Sequence, residues 1–190
     1  MRRRRVAGQH ATRRDVADLA AALCIRNPRE RVLDPSCGEG VFLERAARRL
    51  RALGARTPRL AGIEIDGDIA QEAVRRIAGA EVVRGDFIAL AAGARHGRGI
   101  GPPLRRPFDV VIGNPPYVRQ EWITDFKPHW EQVFESYVSS AGLFVYFYEL
   151  GIKLLKPRGR LGYIPTAGGS VAATEKGCAA ICPEAPAWNP

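Results

Sequence analysis

Four short apolar runs in this chain each end in a turn that carries polar chemistry, and this recurrence limits the fold more than any other feature. The runs are residues 31–34, 59–65, 81–84 and 108–112, and they close on Asp34-Pro35-Ser36-Cys37-Gly38-Glu39-Gly40, Glu64-Ile65-Asp66, Gly85-Asp86-Phe87 and Gly113-Asn114-Pro115-Pro116. Amphipathic stretches lie between them. Residues 41–53 read as a helix with Arg and Glu on its outer face, closed by Gly54, and residues 68–77 as another, ended by Gly79. Ahead of the first run, residues 13–24 place Val16, Leu19, Ala20 and Leu23 at the spacing of an amphipathic stripe. After the fourth run, residues 137–155 read as a long apolar helix, and Pro157-Arg158-Gly159 turns into a fifth strand over 160–164. Strands alternating with helices imply an α/β fold with a mostly parallel sheet and right-handed crossovers.

Some segments stand outside that alternation. Residues 91–107 are rich in Gly, Pro and Arg and read as a surface loop. Residues 166–190 lack strand alternation and end in a Pro, Ala and Glu mixture, so an irregular tail is expected there. The working division is a basic arm over 1–12, one α/β domain over 13–165 and the tail.

Length and charge exclude several classes. The chain has 190 residues, enough for one domain and a tail. No run approaches the roughly 18 apolar residues of a membrane span; the stretch from Ala141 to Leu155 is interrupted by Glu149 and Lys153. The N-terminus is basic but lacks the apolar core of a signal peptide, so a cytoplasmic setting is expected. Cys24, Cys37, Cys178 and Cys182 lack the paired spacing of a zinc site, and no metal is expected. The net charge of +9 is confined to residues 1–60, which carry 15 Lys/Arg against 6 Asp/Glu; the rest carries 14 of each. A one-sided basic segment can meet nucleic acid. The same excess also follows from a composition dominated by Arg, Ala, Gly and Pro, so charge alone does not decide.

The turns say more. Glycines at 38 and 40 let backbone approach a ligand, and the following helix start presents N–H groups. The spacing is neither a full dinucleotide fingerprint nor a phosphate-binding loop with its lysine. Glu64 can accept both hydroxyls of a ribose, while Asp66 is better placed to cap the next helix. Asp86 can take the amino group of a purine, with Phe87 against the ring face, or simply cap a helix. In Asn114-Pro115-Pro116-Tyr117 the prolines remove two donors and fix the backbone. The Asn114 oxygen and the Pro115 carbonyl can then hold an exocyclic amino group, with Tyr117 stacking on a ring. All four turns fall where open α/β sheets bind ligands.

With these residues in view the chain resembles the S-adenosylmethionine-dependent amino-methyltransferases, and NPPY with DPSCGEG, IEID and GDF resembles the adenine-specific N6 DNA methyltransferases. NPPYVRQE and the helix ending LLKPRGRLGYI are similar to type II restriction–modification enzymes. Gly8-Gln9-His10-Ala11-Thr12 is similar to the family's N-terminal cofactor motif, with Arg13 where proline is common. The resemblance spans about residues 6–165 and implies a Rossmann-like sheet of order 3-2-1-4-5.

It further implies S-adenosylmethionine as cofactor, its methionine part held by Thr12, Asp34, Ser36, Gly38 and Gly40, its ribose by Glu64 and its adenine by Asp86 and Phe87. Asn114 and Pro115, braced by Pro116, would accept from N6 of an adenine flipped out of duplex DNA, and Tyr117 would stack on it. The nitrogen then attacks the sulfonium methyl in line, with no metal and no covalent intermediate.

The family has seven strands, and five are readable here. The final hairpin and the target-recognition domain are expected to be missing, as in a truncated or frame-shifted gene product with little activity. Two other functions fit the motifs. One is N-methylation of a ribosomal RNA adenine or a protein glutamine, which presents the same two N–H groups. The other is a non-catalytic nucleic-acid-binding remnant.

Overall fold

The structure, a computed structural model, describes residues 12–93, 103–116, 143–164 and 172–175. Helix α1 (Arg14–Cys24) precedes strand β1 (Arg31–Asp34), helix α2 (Val41–Ala52), strand β2 (Arg59–Glu64), helix α3 (Gly67–Arg76) and strand β3 (Glu81–Arg84). There follow α4 (Phe87–Gly93), β4 (Phe108–Gly113), α5 (Leu143–Lys153), β5 (Leu155–Tyr163) and β6 (Ala172–Glu175). The sheet order is β3-β2-β1-β4-β5-β6. The first five strands pair in parallel, in the expected order 3-2-1-4-5.

Alternate side chains of the central strands face opposite layers, as a buried parallel sheet requires. Val32, Leu60, Val110 and Ile112 pack with Ala20, Leu43 and Leu50 on the face carrying α1 and α2. Leu33, Ile63, Val111 and Leu161 pack with Phe87, Phe147 and Leu150 on the face carrying α4 and α5. The result is a three-layer α/β/α domain whose loaded turns all emerge along one sheet edge.

Four local expectations need correction. Helix α1 forms, but its buried face is Ala17, Ala20, Ala21 and Cys24, while Leu19 and Leu23 are 49% and 48% exposed. The leucine stripe loses because the seat is shallow: a Cβ on Gly162 of β5 would meet Cys24 Sγ at 2.5 Å. Only small side chains fit between this helix and the sheet. The segment expected to loop from residue 91 begins instead inside α4, which runs to Gly93, and Leu104 beyond it is buried.

Strand β5 starts at Leu155 rather than after the Pro-Arg-Gly turn. Phe108 faces Leu155 and Val110 faces Arg160, so residues 156–159 form a bulge that absorbs Pro157 and holds Arg158 at φ 63°. The fourth correction concerns the tail. Ala172–Glu175 pairs antiparallel with β5, Tyr163 facing Ala172 and Arg160 facing Glu175. The rest of 166–190 and the arm at 1–11 lie outside the described residues.

Candidate cofactor cleft at the carboxyl ends of the strands

The turn after β1 is tied into its neighbours by backbone. Cys37 N–H donates to Ile63 O at 2.9 Å, and Gly40 N–H closes the turn onto Cys37 O at 2.8 Å. Gly40 sits at φ 87°, a left-handed conformation that favours glycine, and a Cβ there would also push on Ile77 Cδ1 at 2.2 Å. Gly38, at φ 53°, has open space where a Cβ would be. A ligand can therefore come down onto the turn at that point.

Glu64 is 4% exposed at the end of β2. Its Oε2 accepts from Gly38 N–H and its Oε1 from Asp66 N–H, both at 2.9 Å. A carboxylate has about four acceptor sites, so two remain for a diol. Asp66 caps α3, its Oδ1 accepting from Asp68 and Ile69 N–H. The cap by Asp66 is the one expected from the sequence. Asp86 caps α4 through Oδ1, accepting from Ile88 N–H at 2.8 Å and Ala89 N–H at 3.3 Å. Its Oδ2 takes part in neither bond.

The structure does not bring the Phe87 ring to the cleft. That ring is 2% exposed and lies 5.0 Å from the Phe147 ring in the core. The first turn of α4, unseen in the sequence, points it inward. Ile65 holds the exposed apolar position instead, at 53% exposure beside Glu64. An isoleucine left in water immediately after a buried acid is the signal that was passed over.

Asp34 is fully buried. Its Oδ1 accepts from Ser36 N–H at 3.1 Å, and its Oδ2 has no partner. Burial pushes its pKa up to about 8; the Ser36 N–H works against that rise and the Glu64 charge adds to it. Ser36 Oγ donates to Asn114 O at 3.2 Å, joining the glycine turn to the end of β4. Asn114 Nδ2 donates to Thr12 Oγ1 at 3.4 Å, and Asn114 Oδ1 is buried without a partner. Pro115 is buried behind it, Pro116 is half-buried, and Tyr117 lies outside the described residues. Burial, with Asp34 and Glu64 nearby, drives the Cys37 thiol pKa upward and disfavours its thiolate.

Thr12, Asp34, Ser36, Gly38, Gly40, Glu64 and Asn114 thus form one connected set, with Asp86 at the next strand end. Buried polar atoms in folded proteins are nearly always satisfied. Two unpartnered oxygens beside an open glycine mark a place for a ligand that brings donors. A cofactor with a cationic amino-acid end, a ribose and an adenine fits this donor and acceptor set.

Residues 86–170 match the Eco57I restriction-modification methylase family. The chain is 32% identical over 158 residues to the type II methyltransferase M.XhoI of Xanthomonas vasicola, covering 72% of this chain and 28% of that protein. It spans little more than a quarter of the length of the curated relatives it matches. A Listeria monocytogenes protein assigned to the class I S-adenosylmethionine-dependent methyltransferases superposes with a TM-score of 0.58 at 20% identity, over 87% of this chain and 49% of its own. The type IIG restriction endonuclease BpuSI superposes with a TM-score of 0.62 at 15% identity, over 85% and 20%. The fold is therefore the Rossmann-like fold of S-adenosylmethionine-dependent methyltransferases.

Proposed function

We propose that this chain carries the cofactor and catalytic chemistry of a restriction–modification methyltransferase that methylates the N6 amino group of adenine in DNA. The observation that carries the reading is Asn114: its amide nitrogen is tied to Thr12, while its buried oxygen has no partner. An acceptor fixed in this way is made for a donor, and the adjoining Pro115 carbonyl supplies a second. Together they accept hydrogen bonds from both N6–H groups of an adenine and draw the nitrogen toward a form whose lone pair is free. Tyr117 stacks on the base, and Pro116 stiffens the turn.

When bound, S-adenosylmethionine supplies an electrophilic methyl group. Ser36, Gly38, Gly40 and Asp34 hold its amino-acid end with Thr12, Glu64 takes the ribose hydroxyls, and Asp86 takes the adenine amino group. Ile65 offers the apolar surface for the adenine that Phe87, turned into the core, supports only from beneath. The chain's own contribution is position and acceptor geometry, worth several orders of magnitude in rate. Duplex DNA is the proposed partner, and the cytoplasm its setting. Among the described residues no helix is long and apolar enough to cross a membrane.

The test is methyl transfer from labelled S-adenosylmethionine to unmethylated duplex DNA, ribosomal RNA and a glutamine peptide in parallel. Label recovered as N6-methyladenine in DNA, lost by about 1,000-fold in Asn114→Ala, is the expected result. Label in RNA or in the peptide instead would reassign the substrate. DNA affinity without any transfer would identify a binding module.

A further inference from the structure

The described turns that follow β1 to β4, residues 35–40, 65–66, 85–86 and 114–116, carry Glu39, Asp66 and Asp86 and no basic residue. The opposite edge of the sheet is the reverse. Its connecting segments expose Arg26 and Arg29 ahead of β1, Arg56 ahead of β2, Arg105 and Arg106 ahead of β4, and Arg158 in the bulge of β5, with no exposed acid among them. An arginine-rich composition alone would load both edges alike. Acids near this edge are already engaged: Glu30 by Arg160, Asp109 by Lys156 and Glu81 by Arg31. Arg31 faces Arg59 across the pairing of β1 with β2. It also donates to the carbonyls of Pro103 and Arg106, which draws the segment before β4 to the start of β1. Burial lowers the Arg31 pKa, Glu81 opposes the fall, and Arg59 and Arg106 add to it, so like charges crowd here without a matching set of acids.

Strands β2, β1, β4 and β5 are neighbours in the sheet. Adjacent strands stand about 4.8 Å apart, so the basic row spans about 15 Å. Along that length one strand of a DNA duplex presents about four phosphates. The row has no apolar anchor. The exposed large hydrophobics among the described residues are Leu19, Leu23, Ile65, Val74 and Phe144, and none lies in these segments. An interface with a folded protein buries an apolar or aromatic centre, and a membrane surface takes up apolar side chains. Charge without such anchors suits the solvated phosphate backbone of nucleic acid.

We propose that this basic edge is a second, sequence-independent DNA site, which holds the backbone of a duplex other than the one whose base enters the cleft. Naming DNA rests on the methyltransferase reading above. The six residues of β2 set the two edges about 20 Å apart. Duplex DNA is stiff over about 150 base pairs, so a short duplex at the cleft does not fold back to the far edge. The chain therefore holds two duplex segments at once, one for chemistry and one by charge alone.

The test is a salt titration of the full chain with a short labelled duplex, followed by fluorescence anisotropy. Replacing Arg29, Arg56 and Arg106 together by Gln is expected to lower the slope of log affinity against log salt by about 2.7, and Arg56→Gln alone by about 0.9. Affinity for S-adenosylmethionine is expected to stay unchanged in both, since neither touches the cleft. Sedimentation at low salt is expected to show two short duplexes per wild-type chain and one per triple-variant chain. An unchanged slope, or one duplex per wild-type chain, overturns the inference, and methyl transfer to DNA that persists in the same protein leaves the methyltransferase reading standing. No affinity for DNA on folded protein overturns both. Phosphatidylserine vesicles that bind the wild type and not the triple variant, with DNA binding equal in the two, would assign the edge to a membrane surface and overturn the inference as well.

Discussion

The two ends of the parallel sheet treat their acids differently. Near the amino ends every one has a cation: Glu30 meets Arg160 and also accepts from Arg26 N–H at 2.9 Å. Asp109 takes Lys156 Nζ on both oxygens at 2.8 Å and the Arg31 N–H at 2.8 Å. Arg31 itself lies 4.1 Å over the Phe108 ring and donates to the carbonyls of Pro103 and Arg106 at 2.7 Å. At the carboxyl ends Glu64 is held by backbone N–H groups alone, and Asp34 and Asn114 each keep an oxygen unmet. Buried and half-buried carboxylates thus meet cations at one edge of the sheet and only backbone N–H groups at the other. An unmet buried acceptor at a strand end suits a ligand that brings donors.

The contrast can be broken at either end. The largest effect on stability is expected at the amino ends. Arg160→Met strands Glu30, only 9% exposed, without its cation and should cost about 3–5 kcal/mol by denaturant titration. The double change with Glu30→Gln should recover most of that loss. A single mutant as stable as wild type would mean that this pair does not anchor β5.

At the carboxyl ends the sign reverses. Asp34 has its pKa raised in the folded state, so above the ordinary carboxyl range the unfolded chain binds fewer protons than the folded one. Stability from this group therefore falls as pH rises from about 4 to about 8. Asp34→Asn, neutral throughout, should be more stable than wild type at pH 8, by something on the order of 3 kcal/mol, and closely matched at pH 4. Melting temperatures at the two pH values check this, and a variant less stable at pH 8 would place Asp34 with the satisfied acids. The smallest effect is expected at Leu19→Gln on the exposed side of α1, within about 0.5 kcal/mol of wild type. A loss of 2 kcal/mol there would restore the leucine stripe as a core face.

What could be read in advance follows the range of the interactions involved. The turns at Asp34 to Gly40, Glu64 to Asp66 and Asn114 carry their own local chemistry, so the ends of the first four strands are legible in the sequence, while the sheet order 3-2-1-4-5 follows from the family resemblance. The burial face of α1 is not legible, because the decisive neighbour, Gly162, is far away in sequence and only its lack of a side chain sets the clearance. Phe87 was misdirected for a related reason: a ring's direction depends on the helix that carries it, and α4 has no periodic signal over seven residues. Strand β6, Ala-Ala-Thr-Glu, has little strand preference of its own and is specified by the edge of β5 it covers.

The alanine face of α1 bears on the geometry at the end of β4. Thr12 stands two residues before that helix and accepts from Asn114 Nδ2 at 3.4 Å, so the helix's seat is tied to the way the amide lies. With one Nδ2 hydrogen given to Thr12, the oxygen is the buried atom left without a partner. An amine approaching it gains a hydrogen bond, while a carbonyl meets like dipoles and is repelled. On the proposed reading, a preference for amino over keto bases at the end of β4 depends partly on Ala17, Ala20 and Ala21, the buried face that seats α1 two residues from Thr12.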